Sequence, residues 1–245
     1  MLNIVVPMAG LGSRFAKAGY KDPKPFIDVL GRPMITRVIS NLMPLGEHQF
    51  YFVCLKDHLT RFPLEKLLKE SCLSVKILPI NSLTQGPACT VLEAKDFINN
   101  DEPLMVANCD QFIEGGINDY IENFEREKDI DGYIMTMKAN DPKWSFIRYE
   151  NDVVKEVREK EVISDEATVG IYNFKKGSDF VRAAEDMIRR NIRVNNEFYV
   201  APTYNLLIEQ GKKIKFMNIG KRMWGLGVPS DLEAFKQNFN GKNIG

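Results

Sequence analysis

Between Met8 and Pro25 the chain gathers the groups that an anionic ligand needs. Pro7-Met8-Ala9-Gly10-Leu11-Gly12-Ser13-Arg14-Phe15 is followed, after a short interval, by Lys24-Pro25. Gly10 and Gly12 have no Cβ, so the main chain can approach phosphate oxygens and present its N–H groups to them. Arg14 adds a planar fork suited to phosphate, and Lys24 a point charge on a long stem. The combination points to a nucleoside triphosphate, cradled by Met8, Ala9, Gly10, Leu11, Gly12 and Ser13. Arg14, Lys17, Lys21 and Lys24 crowd this one loop. A charge run alone is usually a solvated face; the flanking glycines and the strand before them mark this one as a site.

That strand is the apolar run Leu2–Val6, and further runs alternate with one-sided helical stripes. Met34, Ile35, Val38, Ile39 and Leu42 mark a helix with Pro33 at its first turn. Phe50–Leu55 precedes Leu64, Leu67 and Leu68, and Leu73–Pro79 precedes Ala88, Val91, Leu92 and Ala94. Leu104–Ala107 precedes Ile117, Tyr120, Ile121 and Phe124. Four such units in series call for an α/β fold with a doubly wound, mostly parallel sheet. Ligands in these sheets sit at the carboxyl ends of the strands, where both the Gly-rich loop and Asp110 fall.

The second half changes texture. Tyr133–Lys138, Phe146–Tyr149, Val153–Val157 and Thr168–Phe174 read as added antiparallel strands. Helical stripes return at Phe180–Ile188 and Tyr204–Ile208, and a last helix starts near Pro229 and turns Leu232, Phe235 and Phe239 inward. The pattern reads as a single domain over 1–245, with a nucleotide-binding half (1–139) and an acceptor-binding half with its C-terminal helix (140–245).

Composition excludes several classes. Lys+Arg and Asp+Glu both number 33, so the formal net charge is zero and no basic excess awaits a nucleic acid. Apolar content of 44% and charged content of 27% are ordinary globular values. Cys54, Cys72, Cys89 and Cys109 lack Cys-x-x-Cys spacing and fall in apolar stretches, as expected of reduced core residues in a cytoplasmic protein. No apolar run approaches the ~18 residues of a membrane span, and no leader-like segment opens the chain. A homo-oligomer stays open, because periodicity does not separate an interface from a core.

Gly10-Leu11-Gly12 fails as a dinucleotide fingerprint: Phe15 stands at the third glycine position, and Asp28 comes too early for the acidic partner. No Gly-Lys-Ser/Thr follows either, so it is not a Walker loop. Gly10 to Arg14 followed by Lys24-Pro25 resembles instead the opening signature of the sugar-phosphate nucleotidyltransferase (pyrophosphorylase) family. Other segments agree, in order. Gln85-Gly86-Pro87-Ala88 is similar to that family's nucleobase-reading segment, and Val106-Ala107-Asn108-Cys109-Asp110 to its strand ending in a metal-binding aspartate. Glu159-Lys160 ahead of Gly170-Ile171-Tyr172 resembles its acceptor-binding segment. Trp224-Gly225-Leu226-Gly227-Val228-Pro229-Ser230-Asp231-Leu232 is similar to its closing segment.

The resemblance implies a Rossmann-like sheet of the nucleotidyltransferase/GT-A type and in-line attack of a phosphate oxygen on the α-phosphorus of a nucleoside triphosphate. The nucleophile is already anionic near neutral pH, so no general base is needed, and His48 and His58 lie outside every motif. Alignment and charge neutralisation are what remain. On this reading Asp110 anchors Mg²⁺. Arg14 holds the leaving pyrophosphate, Lys24 the α-phosphate, and Gln85, Gly86, Ala88 and Asn108 the nucleotide. Ser145, Glu159, Lys160, Gly170 and Trp224 take the acceptor. Plainer roles compete: Asp110 as a cap after a strand, Glu159-Lys160 as a solvated strand end, Trp224 as core, Gln85 as a helix cap.

Two positions depart from the family pattern. Gly225 stands where many members carry a second metal-binding aspartate, with Glu197 or Asp165 as substitutes, and Ser145 replaces a sugar-contacting glycine. Both lie on the acceptor side. The expectations are therefore a sugar-1-phosphate nucleotidyltransferase serving surface polysaccharide or capsule synthesis, a CTP-dependent enzyme acting on a non-sugar phosphate such as phosphocholine, or a non-catalytic nucleotide-binding paralogue. A glycosyltransferase of similar fold would want Asp-x-Asp, of which Asn108-Cys109-Asp110 has only the last residue.

Overall fold

Alternation along the first strand, β1 (Leu2–Met8), sets the architecture. Leu2, Ile4, Val6 and Met8 enter one hydrophobic layer and Val5 the other, so the strand is covered on both faces. The computed structural model describes residues 1–239, and 240–245, the end of the acceptor half, lie outside the described residues.

After β1 come the short helix α1 (Ser13–Lys17), a single 3-10 turn at Lys24–Phe26 and a small hairpin, β2 (Asp28–Val29) and β3 (Arg32–Pro33). Helix α2 (Met34–Asn41) leads to β4 (His48–Leu55); α3 (Lys56–Arg61) and α4 (Leu64–Ser71) lead to β5 (Val75–Ile80). Helices α5 (Pro87–Leu92) and α6 (Lys95–Ile98) return the chain to β6 (Leu104–Ala107). Then follow β7 (Gln111–Ile113), α7 (Asn118–Arg126), β8 (Gly132–Lys138), the hairpin β9 (Ser145–Glu150) and β10 (Val153–Glu159), and β11 (Glu166–Phe174). The chain continues through α8 (Gly177–Arg189), α9 (Thr203–Glu209), β12 (Ile214–Asn218), β13 (Met223–Gly225) and α10 (Pro229–Asn238).

The main sheet runs β5-β4-β1-β6-β11-β8-β12, with the β9–β10 hairpin joined to β11 where Ala167 faces Phe146. The first four strands are parallel. Strand β11 is antiparallel to both β6 and β8, and β12 is parallel to β8. So β8 and β12 run with β6, and the Tyr133–Lys138 segment extends the parallel set past one reversed strand. Helices α2, α4, α7 and α10 cover one face, with Met34, Val38, Leu68, Tyr120 and Phe235 buried. Helices α5, α8 and α9 cover the other with Val91, Phe180, Met187 and Leu207. Each side chain so buried contributes about 1.5–3 kcal/mol.

Two details differ from the sequence reading. Leu73 is fully exposed and β5 starts at Val75, because β5 is an edge strand whose face is only partly covered. Cys54 and Cys72 are buried, but Cys89 and Cys109 are only half-buried, and all four are free. Because β4 pairs on one side of β1 and β6 on the other, the chain switches direction of winding at β1. The crevice at the carboxyl ends of β1 and β6 is therefore where a ligand belongs.

Candidate active site

A cavity of about 480 Å³ opens at that crevice. Its first wall is the turn after β1. Gly12 has φ +62° and precedes α1, and a Cβ there would come 3.1 Å from Lys24 Cβ, so glycine both makes the turn and lets Lys24 close in. Among the described residues, none of the backbone N–H groups from Gly10 to Arg14 donates to a protein acceptor. The exposed Arg14 side chain likewise has no protein partner among them. This wall is a row of free donors, as an anion requires.

Across the cavity Lys24 Nζ donates to Asp110 Oδ2 at 2.5 Å, with both side chains partly exposed. Burial pulls the lysine's pKa down, but the Asp110 charge, neighbouring Cys109 and the hydrogen bond to Asp110 together outweigh that, and the net shift is upward. Lys24 is thus a fixed cation. Asp110 rests on Gly227, where a Cβ would lie 2.6 Å from Oδ2. The next residue back, Leu226, donates its N–H to Asp110 O at 2.8 Å. Burial pushes the neighbouring Cys109 thiol up to about 11, which removes it as a nucleophile near neutral pH.

Mg²⁺ takes one or two carboxylates and completes its shell with water and phosphate oxygens. The residues present fit a cation of that kind: Asp110 faces the cavity over a glycine whose missing Cβ leaves the carboxylate its space. Among the described residues no three His, Cys, Asp or Glu side chains gather into a self-sufficient metal site. The cation would therefore be shared with the ligand's phosphates.

The third wall is the turn before α5. Gly86 has φ +134°, and a Cβ there would meet Phe198 N at 2.5 Å and O at 2.6 Å. Phe198 N–H donates to Gln85 O and Ala88 N–H to Phe198 O, both at 2.9 Å. The Gln85 side chain is exposed and accepts from Arg193, whose guanidinium lies 3.9 Å from the Phe198 ring centroid. Gln85 thus sits outside the cavity lining, as do Ala88, Leu11 and Ser13, while Met8, Ala9, Gly10, Gly12, Gly86 and Asn108 line it.

At the far end the Ser145 hydroxyl donates to Glu159 Oε2. Burial raises the Glu159 pKa, against the pull of that hydrogen bond and of Lys160, and Glu197 pushes the same way as burial. Lys160 Nζ donates to Tyr199 Oη, which itself donates to Glu197 Oε2 at 2.5 Å. Gly170 (φ +83°) leaves room for Asn108 and Gln111, whose side-chain atoms would lie 2.2 and 2.6 Å from a Cβ. Ser145, Glu159, Lys160 and Gly170 all line the cavity.

Trp224 does not. Its indole Nε1 donates to Glu114 Oε1 at 2.6 Å and its ring packs edge-on against Phe235, so it anchors α10. Asp165 pairs with Lys138 away from the cavity. Tyr172, Tyr199, Lys143 and Asp231 line the cavity without having been singled out as site residues. Tyr172 and Asp231 each stood inside a segment already quoted, but carried no spacing of their own. The histidines lie away from the cavity.

A family model described as nucleotidyl transferase matches residues 4–224. The uridylyltransferase for glucose 1-phosphate of Haloferax volcanii is 24% identical, over 96% of each chain. The catalytic subunit beta of mannose-1-phosphate guanylyltransferase from Dictyostelium discoideum is 24% identical over 71% of this chain. The chain spans about half the length of that relative and of another curated one it matches. A crystal structure of a nucleoside-diphosphate-sugar pyrophosphorylase from Vibrio cholerae superposes with a TM-score of 0.80 at 27% identity, covering 96% of this chain and 99% of that one. With the match running from β1 into β13, the chain belongs to the nucleotidyl transferase family.

Proposed function

We propose that this chain transfers a nucleoside monophosphate from a nucleoside triphosphate to a small phosphorylated acceptor, a sugar 1-phosphate, releasing pyrophosphate. One observation carries the reading: Gly10, Gly12 and Arg14, whose N–H groups have no protein acceptor among the described residues, line one cavity with the Lys24–Asp110 pair at the carboxyl ends of β1 and β6. A phosphate oxygen of the acceptor forms the new bond to the α-phosphorus. The bond from that phosphorus to the α–β bridging oxygen breaks, and pyrophosphate leaves with the electron pair. No proton has to move, which suits a cavity that no histidine lines among the described residues.

Arg14 and the N–H groups from Gly10 to Arg14 receive the charge that grows on the leaving pyrophosphate. Lys24 neutralises the α-phosphate. Mg²⁺, when bound, supplies further charge neutralisation, and Asp110 is the side chain that would hold it. Lys160, fixed by Tyr199, holds the acceptor's phosphate, and Glu159 its hydroxyl groups. Residues 1–139 then form the nucleotide half and 140–245 the acceptor half, in a cytoplasmic enzyme that supplies activated sugar for surface polysaccharide.

One observation favours a second acceptor class. The Ser145 hydroxyl already occupies one oxygen of Glu159, leaving less of that carboxylate for sugar hydroxyls. A smaller non-sugar phosphate, used with CTP, answers to that arrangement. The deciding experiment incubates the protein with Mg²⁺, each of CTP, UTP, GTP and dTTP, and a panel of phosphorylated acceptors, and measures pyrophosphate. Release with a hexose 1-phosphate supports the first reading, and release only with CTP and an amino or alcohol phosphate the second. Nucleotide binding without turnover on the whole panel refutes catalysis.

A further inference from the structure

On the family resemblance Gly225 stands where a second carboxylate is expected, and the side chain of Asp231 lies against it. A Cβ at Gly225 would lie 3.1 Å from Asp231 Oδ2 and 3.6 Å from Trp144 Cη2. The Asp231 side chain, on the first turn of α10, thus occupies the space a side chain at 225 would use. Gly227, two residues on, meets Asp110 Oδ2 in the same way. The two carboxylates thus rest on glycines two residues apart, and both line the cavity.

Each carboxylate also has its own lysine. Lys24 Nζ holds Asp110, and Lys143 Nζ lies 3.1 and 3.4 Å from the two oxygens of Asp231. Lys143 lies 3.7 Å from Asp141 as well, and 4.9 Å from the Trp144 ring centroid. All four charged side chains of the two pairs line the cavity. The pairs neutralise themselves, and only an incoming polyanion would draw the lysines off the carboxylates.

We propose that Asp231 is the second carboxylate for the divalent cation, relocated from position 225 to α10, and that Lys143 holds its place until nucleotide phosphates enter. The inference rests on the reading that the cavity takes a nucleoside triphosphate. Two consequences follow from the paired lysines. Cation affinity is weak for the protein alone and rises with nucleotide, because phosphates take over Lys24 and Lys143. Removing Lys143 frees Asp231, so it raises affinity for the cation in the absence of nucleotide.

The test uses Mn²⁺ as the probe, alone and with CTP, UTP, GTP or dTTP, read by electron paramagnetic resonance and calorimetry on the full chain. Nucleotide affinity is first measured in chelator, which tests the triphosphate reading by itself. With the best-bound nucleotide, Asp231→Asn is expected to weaken Mn²⁺ by at least about tenfold, since loss of a partner merely behind a ligand already costs that much. Nucleotide affinity in chelator should not fall, because loss of the Asp231 charge leaves Lys143 free for the phosphates. Lys143→Met, which keeps the stem on Trp144, should tighten Mn²⁺ alone. Moving the carboxylate back, in Asp231→Ala/Gly225→Asp, should restore Mn²⁺ affinity, and thermal melting reports whether each variant folds. Unchanged Mn²⁺ affinity in Asp231→Asn, or no recovery in a folded double variant, overturns the proposal. If nucleotide fails to bind even in chelator, the triphosphate reading itself has failed.

Discussion

Replacing Gly227 by alanine perturbs the proposed centre without touching a charge. The new Cβ would lie 2.6 Å from Asp110 Oδ2 and 3.2 Å from its Cγ. A carbon–oxygen contact relaxes at about 3.3 Å, so the carboxylate must shift by roughly 0.7 Å. That motion works against the 2.5 Å bond to Lys24, a charge-assisted contact of about 1.5–3 kcal/mol. A misplacement near 1 Å lowers turnover about 10²-fold where catalysis depends on alignment, and a loss of roughly 30- to 100-fold is expected here. Gly227 does not have positive φ, so alanine meets no left-handed strain there, and the melting temperature should fall by only about 2–4 °C, or roughly 1 kcal/mol. The assay is pyrophosphate release under saturating nucleotide and acceptor, with a melting curve alongside. Turnover within about threefold of the parent would refute the reasoning, because it would mean a displaced Asp110 still serves.

Arg14→Ala and Asp110→Asn are each expected to lower turnover by ~10²-fold or more, and Arg14→Ala to leave the melting temperature unchanged because its side chain is exposed and unpaired. Gly86→Ala should destabilise the fold by about 3–5 kcal/mol in a urea titration: the φ of +134° strains any other residue by about 1–3 kcal/mol, and both Phe198 hydrogen bonds, about 1 kcal/mol each, must break. Glu159 has a folded-state pKa raised above the usual carboxylate range, chiefly by burial. The native chain therefore keeps a proton that the unfolded chain releases, and stability falls as pH rises through that window. Glu159→Gln should remove the fall and leave the variant more stable above it; a parent-like slope in the variant would contradict the assignment.

Much of this was legible in the residues. The β1 run, the one-sided stripes of α2 and α7 and the Gly-rich turn each obey one local rule, so pattern alone places them. Strand β12 was not, because Lys215 and Asn218 interrupt a short apolar segment that becomes a strand only by pairing with β8. The direction of β8 depends on the reversal of β11, a tertiary fact that no local pattern encodes. In the site, Lys24 and Asp110 come from motifs with a fixed loop geometry. Gln85 and Trp224 sit in equally clear motifs, yet their side chains turn to Arg193 and Glu114, which lie far off in sequence. Asp231 was hidden for the converse reason. It reads as an acidic residue in a helix's first turn, and only the bare face of Gly225 reveals where its carboxylate goes.

The central claim is that the turn after β1 grips a triphosphate while Asp110 faces it. A crystal soaked with Mg²⁺ and the nucleotide that supports pyrophosphate release tests this most directly. The account requires phosphate oxygens within hydrogen-bond reach of the N–H groups from Gly10 to Arg14, with the cation on Asp110. Phosphates bound away from that turn, or a cation held by residues that exclude Asp110, would contradict it.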